Sequence, residues 1–365
     1  MVPRLLKKTR TPGAALALIE NKELKAIECF GFSNLESKIP IKKNTIFQLA
    51  SISKPISAWG IMKLVESGKL DLDAPIEKYL TRWHLPVSYE RYILEKYGKI
   101  KDPTSIINHD EITIRRLLSH TAGLTIPSCI GIHPYHLPSI PTIEDNLSGK
   151  GSLAGDLRVI EPPGSRFRYS GGGYTLLQLL IEEVTSQSFA DFMETEILRP
   201  LGMTKSFFRL NENFLSYRAT GYNEDLFPLA DFNLNSITLA AGGCYSTIED
   251  MARFVISNLC ALKDTNSKRT ILKSESLKKM FTPLIDAKFE GVDLDLKMGL
   301  GYYIINIRNL KVIYHSGANQ GFRAAMAFNP QSGDGLVILT NGNNGEKVHY
   351  PITFKWVGLE EKKLR

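Results

Sequence analysis

"FQLASISKPISAWG", residues 47–60, sets Ser51 three positions before Lys54, with a proline at 55. Ile56, Trp59, Gly60, Met62, Leu64 and Val65 continue at helical spacing, and Gly68 stands where a C-terminal cap belongs. Proline is tolerated only in a first helical turn, whose N–H groups lack intrahelical acceptors, so this helix must begin close to Ser51. The Ser51 hydroxyl then lies at the positive end of a helix dipole, and the i, i+3 spacing puts the Lys54 ammonium on the same face. Free serine is a poor nucleophile until a neighbour takes its proton, and a partly desolvated lysine can do so. Spacing alone leaves two readings open: a nucleophile beside its base, or the start of an ordinary amphipathic helix. The same S-x-x-K recurs at Ser276 and Lys279 in "ILKSESLKKMFTP", a charged segment better read as a solvated helix start.

Working outward, "GAALALIE" and "LKAIECFG" are β-rich runs separated by a polar "NKE", which predicts a hairpin. The middle of the chain has helical periodicity. Examples are "GYTLLQLLIEEVTSQ" and "SFADFMETEILRPLGM", the latter opening on Ser188 with Asp191 three later as a capping signal. From about residue 241 short β runs return, "GYYIINI", "KVIYHS", "RAAMAFNP" and "DGLVILTNG", joined by turns with Asn, Gly or Pro. Strands at both chain ends around a helical middle predict an α/β fold of the α+β kind, an antiparallel sheet flanked by helices. Residues 1–70 and 240–365 would form the α/β lobe and residues 71–239 an inserted all-helical lobe, with the site in the cleft between them. The poorly patterned stretch 126–163 reads as variable surface, with an active-site loop as the alternative.

The bulk properties exclude several classes. The net charge of +7 is spread along 365 residues rather than gathered in a tract, and no nucleic-acid module is recognisable, so no nucleic-acid partner is expected. No run approaches the roughly 18 apolar residues of a membrane span, so no integral membrane segment is expected. The start "MVPRLLKKTRTPGAALALIE" is basic, but its apolar "AALALI" is shorter than a secretory core. The expected compartment is therefore cytoplasmic if the chain is complete, and periplasmic or secreted if a signal peptide has been removed. Cys29, Cys129, Cys244 and Cys260 are widely spaced, as buried thiols are. His133 and His136 in "HPYH" have no acidic or cysteine cluster beside them, and neither metal nor cofactor is expected. Oligomeric state is silent.

"PGSRFRYSGGGYTLLQ" brings Tyr169 into a Gly-rich turn directly before an amphipathic helix, and "VIYHSGANQGFRAAMAF" ends one strand at His315, Ser316 and Gly317 and opens the next. Singly, these read as a core aromatic, a polar strand end and turn glycines. Together with "TPGAALALIE", "ITIRRLLSHTAGL" (residues 112–124), "LRPLGMTKSFF" and "AAGGCYSTIEDMARF", in that order, they make the chain resemble the β-lactamase-like serine hydrolases. That group holds class C β-lactamases, D-alanyl-D-alanine carboxypeptidases, D-amino-acid peptidases and family VIII-type esterases. The resemblance implies a β-lactamase or penicillin-binding transpeptidase-like fold and an acyl-enzyme mechanism. Ser51 would be the nucleophile, Lys54 its proton acceptor and Tyr169 the second acid/base group, with the acylation base open between Lys54 and Tyr169. His315, Ser316, Gly317 and Ala318 would form a sheet-edge strand against which substrate lies, with the N–H groups of Ser51 and Ala318 as the oxyanion hole. The remaining histidines read as incidental.

Two departures shape the expected substrate. The family's Y-x-N is here Tyr169, Ser170 and Gly171, which removes an amide-reading side chain. His315 replaces the lysine of K-T-G, so a permanent cation is lost at neutral pH; Arg323 is a candidate substitute, with a surface arginine as the plainer account. The first change tilts the expectation toward an esterase-like or broad-specificity hydrolase of small-molecule ester, amide or peptide substrates; the second leaves acylation chemistry intact but removes a cation for a substrate carboxylate. The alternative is a non-catalytic or slowly acylating penicillin- or peptide-binding sensor. A Ser-His-Asp hydrolase is disfavoured, because no G-x-S-x-G occurs.

Overall fold

Alternating side chains at both ends of the chain are sorted onto the two faces of one antiparallel sheet. The computed structural model describes residues 1–86, 111–125, 141–150, 155–209, 212–230, 237–262, 271–288, 294–307 and 310–358. Strands β1 (Gly13–Glu20) and β2 (Glu23–Asn34) form the expected hairpin. Its turn residues Asn21 and Lys22 both take left-handed dihedrals, φ 51° and 65°, which match the right-handed twist of the flanking strands. β3 (Ile39–Pro40) extends the sheet beyond β2. Two small ladders stand apart: β4 (Ile46–Gln48) with β7 (Tyr245–Thr247), and β5 (Gly221–Tyr222) with β6 (Pro228–Leu229).

The rest of the sheet comes from the C-terminal part: β8 (Ile285–Asp286), β9 (Asp295–Met298), β10 (Tyr303–Ile307), β11 (Leu310–Asn319), β12 (Phe322–Asn329) and β13 (Asp334–Thr340). The order is β3-β2-β1-β13-β12-β11-β10-β9-β8, so the N-terminal hairpin completes a sheet begun at the other end of the chain. Ala15, Ala17 and Ile19 of β1, with Val337 and Leu339 of β13, face the main core. Their alternates Ala14, Leu16, Leu336 and Ile338 face a second cluster with Val2, Leu6, Val348 and Ile352. A two-residue period buried on both faces explains why these strands read as nearly continuous apolar runs. The helices Val2–Thr9 and Glu346–Trp356 cover the second face.

The Ser53–Glu66 helix differs from its expected amphipathic form, since residues 53–62 and Leu64 are all buried. A helix enclosed on every side belongs to a protein interior, and its small polar groups are satisfied there. Ser57 Oγ donates to the carbonyls of Ser53 (2.8 Å) and Ala240 (3.0 Å). A buried chain of hydrogen bonds ties this helix to the Ile248–Ala261 helix: Trp59 Nε1 donates to Tyr302 Oη (3.0 Å), which donates to Asn258 Oδ1 (2.8 Å).

The interval 71–239 carries the expected Gly171–Thr185 helix, and Phe189–Met193, capped at Ser188 as its sequence signals. The three glycines at 171–173 form the first helical turn rather than a loop. The interval also holds the β5–β6 ladder and, within the unpatterned stretch 126–163, an Ile143–Leu147 helix closed by a Thr142/Asp145 capping box. The main core runs without a break from Phe254 and Phe328 to Leu117, Leu177 and Phe192. His133, His136 and Cys129 lie outside the described residues; Cys29, Cys244 and Cys260 are free thiols. Among the described residues no helix is long and apolar enough to cross a membrane.

Tyr302→Phe should leave the Trp59 indole N–H and the Asn258 amide oxygen unpartnered in the core. Unmade buried hydrogen bonds cost about 1–3 kcal/mol each. A urea titration is expected to show a lower midpoint with an unchanged m-value; an unshifted midpoint would remove this network from the account of stability.

Candidate active site

After β4 the chain turns sharply through Ala50–Ile52 and enters the Ser53–Glu66 helix, which puts Ser51 at the helix entrance. Ala50 holds φ 51°, a left-handed conformation that costs a residue with a side chain about 1–2 kcal/mol. The surroundings enforce it. Leu49 N donates to the Cys244 carbonyl (2.8 Å), Ser53 Oγ donates to the Ala50 carbonyl (2.6 Å), and Cys244 N donates to Ser53 Oγ (2.9 Å). Strain retained in a buried turn is characteristic of functional sites.

Lys54 is only 2% exposed. Its Nζ donates to Ser51 Oγ (3.2 Å) and to the Ala241 carbonyl (2.6 Å) and lies 4.8 Å from the ring centre of Tyr169 and 5.6 Å from that of Tyr174. A carbonyl, a hydroxyl and two aromatic faces therefore surround this amine. The structure thus brings Ser51, Lys54 and Tyr169 together, the first two by a hydrogen bond and the third through its ring. The Tyr174 and Tyr303 phenols are pushed well above the ordinary tyrosine range, chiefly by burial, which keeps both neutral.

β11 closes the site from the sheet side. A methyl group on Gly317 would collide with the Leu49 carbonyl oxygen and come within 3.1 Å of Ser51 N, so only glycine lets the strand cross this turn. Ala318 follows, exposed and opposite Arg323 of β12, and Ser316 is half-buried. His315 is buried, and its Nδ1 donates to the Ser316 carbonyl (2.7 Å). Burial, and then the nearby Lys54 charge, push its pKa down to about 3, so the ring is neutral where the K-T-G lysine would be charged.

Four expectations need correction. β11 is not an edge strand: it lies between β10 and β12, and an open side arises only because the β10 pairing stops at Tyr314, leaving 315–319 paired to β12 alone. Arg323 is neither a free surface group nor a spare cation, since it bonds Glu346 Oε1 (2.9 Å) and the carbonyls of Asn319 (2.6 Å) and Phe322 (2.9 Å). The second S-x-x-K lies in a helix and, as expected, forms no pair, but that helix start is not solvated throughout: Ser276 is buried against Glu66, and Lys279 is exposed. His120 is not incidental: its buried ring lies 4.3 Å from that of Tyr169. The only hint was its place within "ITIRRLLSHTAGL". Asn319 was also overlooked; its Nδ2 donates to Gln48 Oε1 (2.9 Å), pinning the end of β11 to β4.

A family model described as Beta-lactamase matches residues 1–355. Protein flp of Staphylococcus aureus (strain MRSA252) is 25% identical over 350 residues, 93% of this chain and 61% of that protein. The chain therefore spans about three fifths of the length of this curated relative. The octameric penicillin-binding protein homologue from Pyrococcus abyssi superposes with a TM-score of 0.78 at 24% identity, over 100% of this chain and 77% of its own. A class C beta-lactamase superposes at 0.73 with 22% identity, over 98% and 93%. Both share the fold: a large antiparallel sheet with helices.

Three buried histidines make stability depend on acid. His315 and His349 are held at about pKa 3, and His120 well below its ordinary value, mainly by burial. Depressed histidines are neutral in the fold, while the unfolded chain takes up their protons below about pH 6.5. Stability is therefore full above that pH and falls as pH drops from 6.5 toward 3, by about 2 kcal/mol at pH 5 for each of His315 and His349. Urea unfolding between pH 7 and 5 should show this decline, and His349→Gln should flatten it; a pH-independent midpoint would mean that these rings protonate freely in the fold.

Proposed function

The chain belongs to the Beta-lactamase family, whose chemistry in general is that of serine hydrolases acting through an acyl-enzyme, and from that premise we propose that it hydrolyses small uncharged esters through an acyl group on Ser51. The observation that carries this reading is the hydrogen bond between the Ser51 hydroxyl and a buried lysine amine at a strained helix entrance. Ser51 Oγ attacks the ester carbonyl carbon, and its proton passes into the Lys54–Tyr169 pair, Lys54 being able to take it only as the neutral amine. The N–H groups of Ser51 and Ala318 receive the developing oxyanion. The C–O bond to the alcohol then breaks, the leaving oxygen takes a proton from the pair, and water repeats the sequence on the acyl group.

Three features favour esters over amides, lactams or carboxylate-bearing peptides. Gly171 has no side chain to read an acylamide. His315 is neutral, and the Arg323 guanidinium is committed to Glu346 and to carbonyl oxygens. One observation favours the second reading, a slowly acylating sensor: Tyr169 meets Lys54 with its ring, and no hydrogen bond joins its phenol to Lys54 or Ser51.

Short-chain nitrophenyl ester, cephalosporin and D-amino-acid amide turnover should be compared for the native chain and Ser51→Ala. Ester turnover is expected, with feeble lactam turnover, and a loss of roughly a thousandfold or more in the variant. Equal ester rates would remove Ser51 from the mechanism, and a stable acyl adduct by mass spectrometry without turnover would establish the sensor. Gly317→Ala, which pushes β11 off the Ser51 turn, should lower kcat by roughly a hundredfold or more, the effect of losing an oxyanion donor. Native kcat in that variant would separate β11 from the oxyanion site.

A further inference from the structure

His120 stands on the turn after the Ile114–Leu118 helix with φ 56°, left-handed and 2% exposed. A core histidine satisfied by one neighbour would be unremarked, but this residue holds three consecutive positions of a single segment. Its carbonyl accepts from Arg168 N (2.7 Å), its Nδ1 accepts from Ser170 N (3.1 Å), and its ring lies 4.3 Å from the Tyr169 ring at an interplanar angle of 33°. Tyr174 packs on the same imidazole at 5.2 Å and Phe167 meets it edge-on at 5.9 Å. The turn carrying His120 is itself anchored: Tyr174 Oη and Gly301 N both donate to the Leu118 carbonyl (3.1 and 3.0 Å). A left-handed histidine persists only where its surroundings over-determine it, and here they fix residues 168, 169 and 170 together.

We propose that His120 is the positioning residue for the Tyr169 phenol, acting as a neutral imidazole with its proton on Nε2 and its Nδ1 lone pair on the Ser170 N–H. The tautomer follows from the donor. A backbone N–H can only donate, so Nδ1 carries no proton and the ring's single hydrogen is on Nε2. Protonation of Nδ1 would set two N–H groups against each other, lose the Ser170 bond and release the segment that bears Tyr169. Burial, and then the nearby Lys54 charge, oppose that protonation. His120 touches no reacting atom; it acts through the tyrosine. Its Nε2–H, buried and without a protein partner among the described residues, is left to a water molecule.

The effect on turnover rests on the proposed role of Tyr169, whereas the clamp itself can be read without activity. In protein carrying [13Cζ]-tyrosine, the Tyr169 phenol signal, assigned with Tyr169→Phe, should shift and broaden in both His120→Asn and His120→Phe. Asparagine keeps an acceptor for Ser170 and tolerates φ 56° but lacks the ring; phenylalanine keeps the stack but loses the acceptor. Nitrogen-15 spectra of the native protein should show the Nε2–H tautomer of His120. With a nitrophenyl ester, kcat should fall roughly tenfold to a hundredfold in each His120 variant with KM little changed. Either substitution should cost almost nothing further in a Tyr169→Phe background. An unmoved Tyr169 signal, an Nδ1–H tautomer, or losses that add fully to that of Tyr169→Phe would overturn the proposal. Should Tyr169→Phe keep native turnover while the Tyr169 signal still moves in the His120 variants, the acid/base role of Tyr169 fails and the clamp stands.

Discussion

An ammonium withdrawn from water costs several kcal/mol unless the interior answers its charge, and the arrangement around Lys54 is best understood as that answer. Among the described residues no anion is supplied. The Ala241 carbonyl, the Ser51 hydroxyl and the faces of Tyr169 and Tyr174 converge on Nζ from three separate segments. Each can do so only because the Ser53–Glu66 helix is enclosed on every side and its polar positions are small serines that bond backbone oxygen. A carboxylate partner would hold the amine more tightly and leave it less able to exchange a proton with a hydroxyl. The absence of an ion pair at Lys54 among the described residues is therefore chemically consequential.

The same logic separates the two S-x-x-K sequences. Their local spacing is identical, but Lys279 keeps its ammonium in water and Ser276 gives its hydrogen bond to Glu66. Only burial, a property of the whole fold, turns the motif into a pair.

Much of the architecture was legible in the sequence because period and punctuation are local. The β1–β2 hairpin, the Gly171–Thr185 helix, the Ser188 cap and the C-terminal strands follow from spacing and turn residues. The helix entrance at Ser51 followed from the position of Pro55. What could not be read was set by tertiary packing. Nothing in "FQLAS" announces that an alanine takes a left-handed turn, nor "LLSHTAGL" that its histidine does so beside Tyr169. Strand order is equally non-local, which is why β11 read as an edge although only its last five residues lack a partner on the β10 side. Arg323 looked available because its partner Glu346 belongs to a helix farther along the chain.

Gly317 presses β11 against the turn that carries Ser51, while β1 is held between β2 and β13. Both contacts join the beginning of the polypeptide to its end, and such long-range closures form late and slowly. During translation Ser51 is made well before β11 and β13, so the strand that shapes its surroundings and the strand that seals the sheet are still to be synthesised when it emerges. A nascent chain stalled before residue 317 would carry the Ser51 hydroxyl and the Lys54 amine without the strand that packs against their turn.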